Sequence, residues 1–184
     1  MIALIGKGGF AHEVAAYIQS HAPLEEILFY EFDEITDAKY ADRCLIAIGD
    51  PKTRMAIATA YPLLPYATYN APSAQTYGAT KGIGTIICQG AIVTCNVELG
   101  EHVHVNIHAS IGHDSKIGSY TTISPGARVS GNVTIGECCY IGSNAVIKEK
   151  VTICAGAIIG AGAVVVKDIT EAGTYTGIPA KKIK

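Results

Sequence analysis

The stretch NIHASIGHDSKIGSYTTISPGARVSGNVTIG, residues 106–136, decides the fold. Within it Ile111, Ile117, Ile123, Val129 and Ile135 fall six residues apart. Extended both ways, the count finds Ile, Val or Leu at every sixth residue from Ile87 to Val165, fourteen times in succession. Four residues after each comes a small or β-branched side chain, such as Ala109, Ser115, Thr121 or Ala127, and glycine often follows the aliphatic directly, as at Gly100, Gly112, Gly118 and Gly136. A period of six fits neither the 3.6-residue helix nor, by itself, the two-residue strand. It predicts a triangular parallel β-solenoid in which each hexad makes one flat side and a corner. The aliphatic points inward, the small residue lets the chain bend, and three hexads close an 18-residue coil, so residues i and i+18 stack. The phase never slips, so no long loop should leave the coils.

The texture changes near residue 70. Of seven leucines only Leu99 lies beyond residue 64, whereas sixteen of the 20 glycines lie beyond residue 77. The turn-rich segment TYNAPSAQTYG, 68–78, reads as a hinge between a domain at 1–70 and a solenoid at 71–184. In the first domain, Met1–Ile5, Ile27–Tyr30 and Cys44–Ile48 read as strands. Phe10, Val14 and Ile18 mark one helix, and Asp50-Pro51 opens a second through Tyr61. That order is about half of a dinucleotide-binding (Rossmann) fold, an α/β unit ahead of an all-β one. The turn Gly6-Lys7-Gly8-Gly9 can bring backbone N–H groups and a helix N-terminus to a diphosphate, with His12 on the first turns of that helix. Glu31, ending the second strand, can accept hydrogen bonds from a ribose or base. Tight strand-to-helix turns need glycine in any case. The segment suits a mononucleotide, or a nucleotide carrying a sugar, better than NAD.

Composition excludes several classes. The 184 residues are 49% hydrophobic and 16% charged, too apolar for a disordered tail, and a net charge of -2 argues against a phosphate-backbone binder, so no nucleic-acid partner is expected. No apolar run approaches a membrane span and the start MIALIGKGG is unlike a signal peptide, so the chain reads as soluble and cytoplasmic. The six cysteines form no CxxC pair and read as small buried hydrophobes in a reducing compartment.

Four of six histidines, His102, His104, His108 and His113, fall within twelve residues. His102 and His104, two apart, are expected to share a solvent-facing side. His113 follows Ile111-Gly112, and the stacking rule puts Gly131 one coil above it and Cys95 one coil below. A glycine there would open a gap over the imidazole, which could then take a proton from an attacking amine or hydroxyl. Asp114 could fix the tautomer. Adjacent residues in an extended chain point apart, however, so a partner from elsewhere would serve equally, and a plain surface corner residue would look the same.

The segments GKGGFAHEV, IAIGDPKTR, NIHASIGHDSKIG, SPGARVSGNVTIG and TGIPAKKIK, spanning nearly the whole chain, together resemble the NeuD/PglD-type sugar O-acyltransferases and nucleotide-sugar N-acetyltransferases. The resemblance implies a left-handed parallel β-helix, a homotrimer with active sites between neighbouring solenoids, and direct transfer from acetyl-CoA, without a metal, to a nucleotide-sugar substrate for bacterial surface glycans. It implies His113 as general base with Asp114 beside it, Asn106 at the substrate, and the Gly131 amide on the thioester carbonyl. Gly142, Ser143, Gly160, Ala161 and Gly162 would line the coenzyme, with Lys181 near its phosphates. Thr122, in TTISPGA, stands at a coenzyme-side position where the family often carries a histidine.

Two rivals belong to other classes. A γ-carbonic-anhydrase-type zinc hydratase shares the solenoid and the spacing of His108 and His113, but the position of its third histidine, two coils earlier, is Pro72 here. A non-catalytic solenoid that only binds a nucleotide-sugar is the other.

Overall fold

The computed structural model describes residues 1–31 and 33–184. The N-terminal unit contains β1 (Ile2–Ile5), α1 (Gly9–His21), β2 (Ile27–Tyr30), β3 (Arg43–Ile46) and α2 (Pro51–Ala60). The three strands are parallel in the order β2-β1-β3. Side chains alternate along β1, which explains how so short a sheet is covered on both sides. Ile2 and Leu4 pack with Val14 and Ile18 of α1 on one side. Ala3 and Ile5 pack with Ile57 of α2 and with Ile35 of a short 3-10 helix on the other. Asp50 caps α2 as its sequence suggests, accepting from the Thr53 N–H at 2.7 Å with Pro51 at the first helical position.

The rest is a parallel β-solenoid of about six coils, consistent with a hexapeptide-repeat left-handed β-helix. Two-residue strands stack into three sheets, with His104 opposite Thr122, Ser110 opposite Arg128 and Lys116 opposite Thr134, each eighteen apart. The inward aliphatics from Ile87 to Val165 form one continuous core.

Three expectations need correction. The supposed hinge at 68–78 is part of the first coil: Tyr69–Asn70 and Gln75–Thr76 pair with Ile86–Ile87 and Ile92–Val93. These pairings are offset by seventeen residues rather than eighteen, so that coil is one residue short and falls outside the hexad count. Nor do the small residues make the bends; Ala109, Ser115, Thr121 and Ala127 are buried inside. The bends come one residue earlier, at positions with positive φ that include Asn96, His108, Asp114, Tyr120, Gly126 and Asn132. The glycine after the aliphatic permits close approach of coils: a Cβ on Gly112 would lie 2.6 Å from the Gly131 nitrogen above it. Cysteine burial is also only partial, since Cys44, Cys88 and Cys139 are buried, Cys95 is exposed, and all six are free thiols.

The three outer faces differ. The first is covered by the N-terminal unit at Ile86, His104 and Thr122, which are buried, while Tyr140 and Ile158 farther along it are exposed. The second carries Ile92, Ser110, Arg128, Val146 and Val164, with Ile92 exposed and the valines half-buried. The third carries Thr80, Glu98, Lys116, Thr134 and Thr152, all exposed, with Glu98 and Lys116 paired at 3.0 Å. A hairpin closes the C-terminal end: Thr174–Thr176 stacks on Ile158–Ile159 and pairs antiparallel with Lys181–Lys182.

Candidate active site

His113 occupies the corner between the second and third faces, just after the strand Ser110–Ile111, and its side chain is 59% exposed. Asp114 follows with φ +60°. That left-handed turn removes the extended-chain objection and folds the carboxylate back, so Asp114 Oδ2 lies 2.7 Å from His113 Nδ1. Asn96, one coil below, donates to Asp114 Oδ1 at 3.0 Å and holds the carboxylate from its other side. The hydrogen bond from His113, then that from Asn96, lowers the Asp114 carboxyl below its usual range. An ionised carboxylate only accepts, so Nδ1 carries the proton and the lone pair belongs to Nε2.

Nε2 points at Gly131. A Cβ there would sit 2.6 Å from Nε2. The expected gap over the imidazole is thus filled by the ring itself, and glycine is what admits it. Among the described residues, the Gly131 N–H donates to no protein acceptor, while its neighbours Ser130 and Asn132 donate to Ile147 and His113 carbonyls. A base and an unspent donor therefore share one edge.

A second set lies along another edge, the corner between the first and second faces. Asn106, Ser143 and Ala161 fall there, separated from His113 by the second face. Asn106 is nearly buried and donates to the Ile123 carbonyl at 2.9 Å. The amides of Gly142, Gly160 and Gly162 are spent on Ile159, Tyr175 and Ser143 carbonyls. Gly142 and Gly160 are further explained by packing, since a Cβ on either would come within 2.6 Å of the next coil. Ser143 and Ala161 keep unspent N–H groups among the described residues. Lys181 is exposed in the terminal hairpin. Thr122 is elsewhere: it is buried on the first face, where its hydroxyl donates to the Gly49 carbonyl and accepts from Arg54. Its place is the seam between the two units.

His102 and His104 overturn the expectation of a solvent face. Both are buried, because the N-terminal unit covers that side. His104 packs against Phe10 with ring centroids 5.1 Å apart, and His102 stacks on Tyr120 at 5.5 Å. Among the described residues no group of three or more His, Cys, Asp or Glu side chains could hold a metal ion.

The N-terminal unit holds a cleft of about 490 Å³ lined by Gly6, Lys7, Gly8, Gly9 and Glu31, as the motif suggests. Gly6 has φ +121°, and a Cβ there would press on the Ala47 carbonyl at 3.0 Å, so the turn requires glycine. The first turn of α1 has neither a side-chain cap nor an acidic residue, which leaves its N-terminal dipole available to an anion. Lys7 is paired with Glu34 at 2.9 Å. His12 is exposed beside the Phe29 ring and outside the lining. The motif did not disclose Tyr30, which lines the cleft beside Glu31, or Gly49 and Thr53, which line it from the β3–α2 side. Gly49 and Thr53 flank the Asp50-Pro51 cap, the one sequence signal that could have pointed to that side.

Residues 96–131 and 132–167 each match the bacterial transferase hexapeptide (six repeats) family. The chain is similar to WeeI from Acinetobacter baumannii AYE, at 28% identity and TM-score 0.91, over 100% of this chain and 99% of that one. It is equally similar to the acetyltransferase domain of PglB from Neisseria gonorrhoeae FA1090, solved in complex with acetyl coenzyme A, at 28% identity and TM-score 0.91, over 99% and 98% of the two chains. PerB from Caulobacter crescentus, solved in complex with CoA and GDP-perosamine, shares the fold at 24% identity and TM-score 0.92, over 100% and 97%. No curated protein matches the chain by sequence. No described helix is long and apolar enough to cross a membrane.

Proposed function

We propose that this chain, a hexapeptide-repeat acetyltransferase that draws its acetyl group from acetyl-CoA, delivers it to the 4-amino group of a nucleotide-activated sugar, with His113 as general base. The observation that carries this is the alignment of Asp114, His113 and Gly131 along one exposed edge. Acetyl-CoA supplies a thioester carbonyl open to attack. His113 Nε2 accepts the proton of the attacking amine, and Asp114 stabilises the imidazolium that forms. The Gly131 N–H faces the developing oxyanion, a contribution of roughly 3 kcal/mol in comparable sites. As the new C–N bond forms and the C–S bond breaks, His113 returns the proton to the departing thiolate. Cys95 lies one coil below His113 at this corner, but among the described residues its thiol makes no hydrogen bond to the imidazole, which favours direct transfer.

The N-terminal cleft serves the nucleotide in this reading: the α1 N-terminus takes the diphosphate and Glu31 the ribose or base, which makes the unit a half-Rossmann binding domain. That PerB was solved with GDP-perosamine supports an acceptor of this class.

A homotrimer is part of the same reading. The N-terminal unit covers the first face as far as Thr122 and the third face is polar, which favours the face bearing Ile92, Val146 and Val164 for self-association. Three copies packed on it around an axis would set the His113 edge of one chain against the Asn106, Ser143 and Ala161 edge of its neighbour. The exposed imidazole would thereby gain a second wall.

The test is incubation of the purified protein with acetyl-CoA and a panel of nucleotide-linked amino sugars, following free thiol and product mass. Thiol release coupled to an acetylated amine is expected. Esters alone would move the acceptor to a hydroxyl, and no transfer to any member would end the proposal.

A further inference from the structure

Arg54 has no exposed surface, although it lies on α2 of a 19.2 kDa protein with ample solvent nearby. Its guanidinium reaches across the seam between the two units. Nε donates to the His102 carbonyl at 2.8 Å, and one terminal nitrogen donates to the Tyr120 carbonyl at 2.6 Å and the Thr122 hydroxyl at 2.9 Å. The other terminal nitrogen donates to the Ile48 carbonyl at 2.6 Å. No carboxylate pairs with it among the described residues; every partner is a neutral oxygen.

Burying a charge this way is costly, and an apolar side chain of similar volume would hold two surfaces together at lower cost. What a guanidinium adds is direction: a planar fork whose donors fix several acceptors in one geometry. The acceptors are informative. Ile48 lines the nucleotide cleft, and Thr122 in turn donates to Gly49, another lining residue. His102 and Tyr120 bracket the coil that carries His113.

We infer that Arg54 is a positioning residue that locks the wall of the acceptor cleft to the coil bearing the base. The inference rests on the acetyl-transfer reading for its catalytic consequence and on geometry alone for the lock. It sets where a sugar held through its nucleotide arrives relative to His113, without touching either substrate.

The experiment uses full-length Arg54→Met, Arg54→Lys and Thr122→Val beside the wild type. With GDP-perosamine as acceptor probe, Arg54→Met should lower kcat/KM for the acceptor about 10- to 100-fold, the scale expected of a small misplacement. The KM for acetyl-CoA should stay within about twofold, because the coenzyme edge lies on later coils. Arg54→Lys should recover part of the loss, and Thr122→Val, which removes one acceptor, should lose less than Arg54→Met. Equal losses for both substrates, or none, would overturn the inference. Hydrogen–deuterium exchange gives a reading independent of turnover. Arg54→Met should raise exchange together in 46–53 and 100–124 while coils beyond residue 140 keep wild-type protection. Exchange confined to α2, or unchanged, would also overturn it. A wild type that transfers to no member of the nucleotide-sugar panel but shows this coupled loosening in its variant would remove the acetyl-transfer reading and leave the lock standing.

Discussion

His113 Nδ1 and Asp114 Oδ2 lie 2.7 Å apart although the residues are sequence neighbours, because Asp114 occupies the left-handed region at φ +60°. A strand would have sent the two side chains to opposite faces. The corner that closes the triangle also brings the imidazole and the carboxylate together, so the fold geometry and the proposed chemistry depend on the same dihedral angle.

Removing the proposed base should stop turnover without removing the coenzyme. His113→Ala is expected to lower kcat by about 100-fold or more, and Asp114→Asn, which keeps the shape and tolerates the left-handed turn, by less. Steady-state rates checked against calorimetric titration with CoA decide it; unchanged turnover in His113→Ala excludes the residue from the mechanism.

Gly131→Ala places a methyl group 2.6 Å from His113 Nε2. The exposed ring can swing away, so the expected result is a kcat reduced by about tenfold or more with folding stability changed by less than about 1 kcal/mol. The larger Gly131→Val should also weaken acetyl-CoA binding, readable in the same titration. Wild-type rates in both would mean that the ring and the amide do not cooperate.

Acid should loosen the seam between the units. Burial, assisted by the nearby Arg54 charge, pulls the His102 imidazole down to about 4, and His104 is held well below its ordinary value for the same reason. Both are neutral when folded and protonate near pH 6.5 when unfolded. Their contribution is therefore complete above about pH 6.5 and is lost as pH falls toward 4, by up to about 3 kcal/mol for His102. His102→Asn, which suits the φ of +53° and cannot titrate, should show a shallower loss between pH 7.5 and 4.5 in urea melts. Parallel losses in the two proteins would contradict this.

Lys150 is exposed and carries φ +64° at its corner. Glycine accepts that conformation freely, so Lys150→Gly should be neutral or stabilising by up to about 1 kcal/mol despite the entropy glycine gains on unfolding. Chemical denaturation midpoints measure it. A destabilisation beyond about 1 kcal/mol would show that the lysine stem contributes packing the turn cannot do without.

Periodicity made the solenoid legible, since an inward side chain every sixth residue is a property of one chain segment and needs no distant partner. The Asp50 cap and the strand Ile27–Tyr30 were readable for the same reason: each is local. What escaped was whatever depends on contact between the two units. His102 and His104 looked like solvent histidines because nothing in their hexads records that Phe10, Tyr66 and Arg54 lie over them. Nothing in the sequence around Arg54 marks it as buried. The corner conformation was hidden differently: residues as unlike as Asn96, Tyr120, Cys138 and Lys150 share one backbone state, so no residue type marks it. His113 over Gly131 was found by counting eighteen, but the filled gap depended on a rotamer that sequence does not show.

Each solenoid strand draws its hydrogen bonds from the strand sixteen to eighteen positions earlier or later, and two residues alone make no stable strand. Assembly can then proceed like a rope being laid, every turn templated by a neighbour already in place. The first turn is pressed onto a sheet that can form from the initial seventy residues, which provides a starting post, and the antiparallel hairpin at Lys181–Lys182 ties off the finish. A fault in any middle turn would break the stack for the lengths on both sides of it, so truncation or a bulky insertion near residue 130 should cost the cell the whole subunit rather than one corner of it.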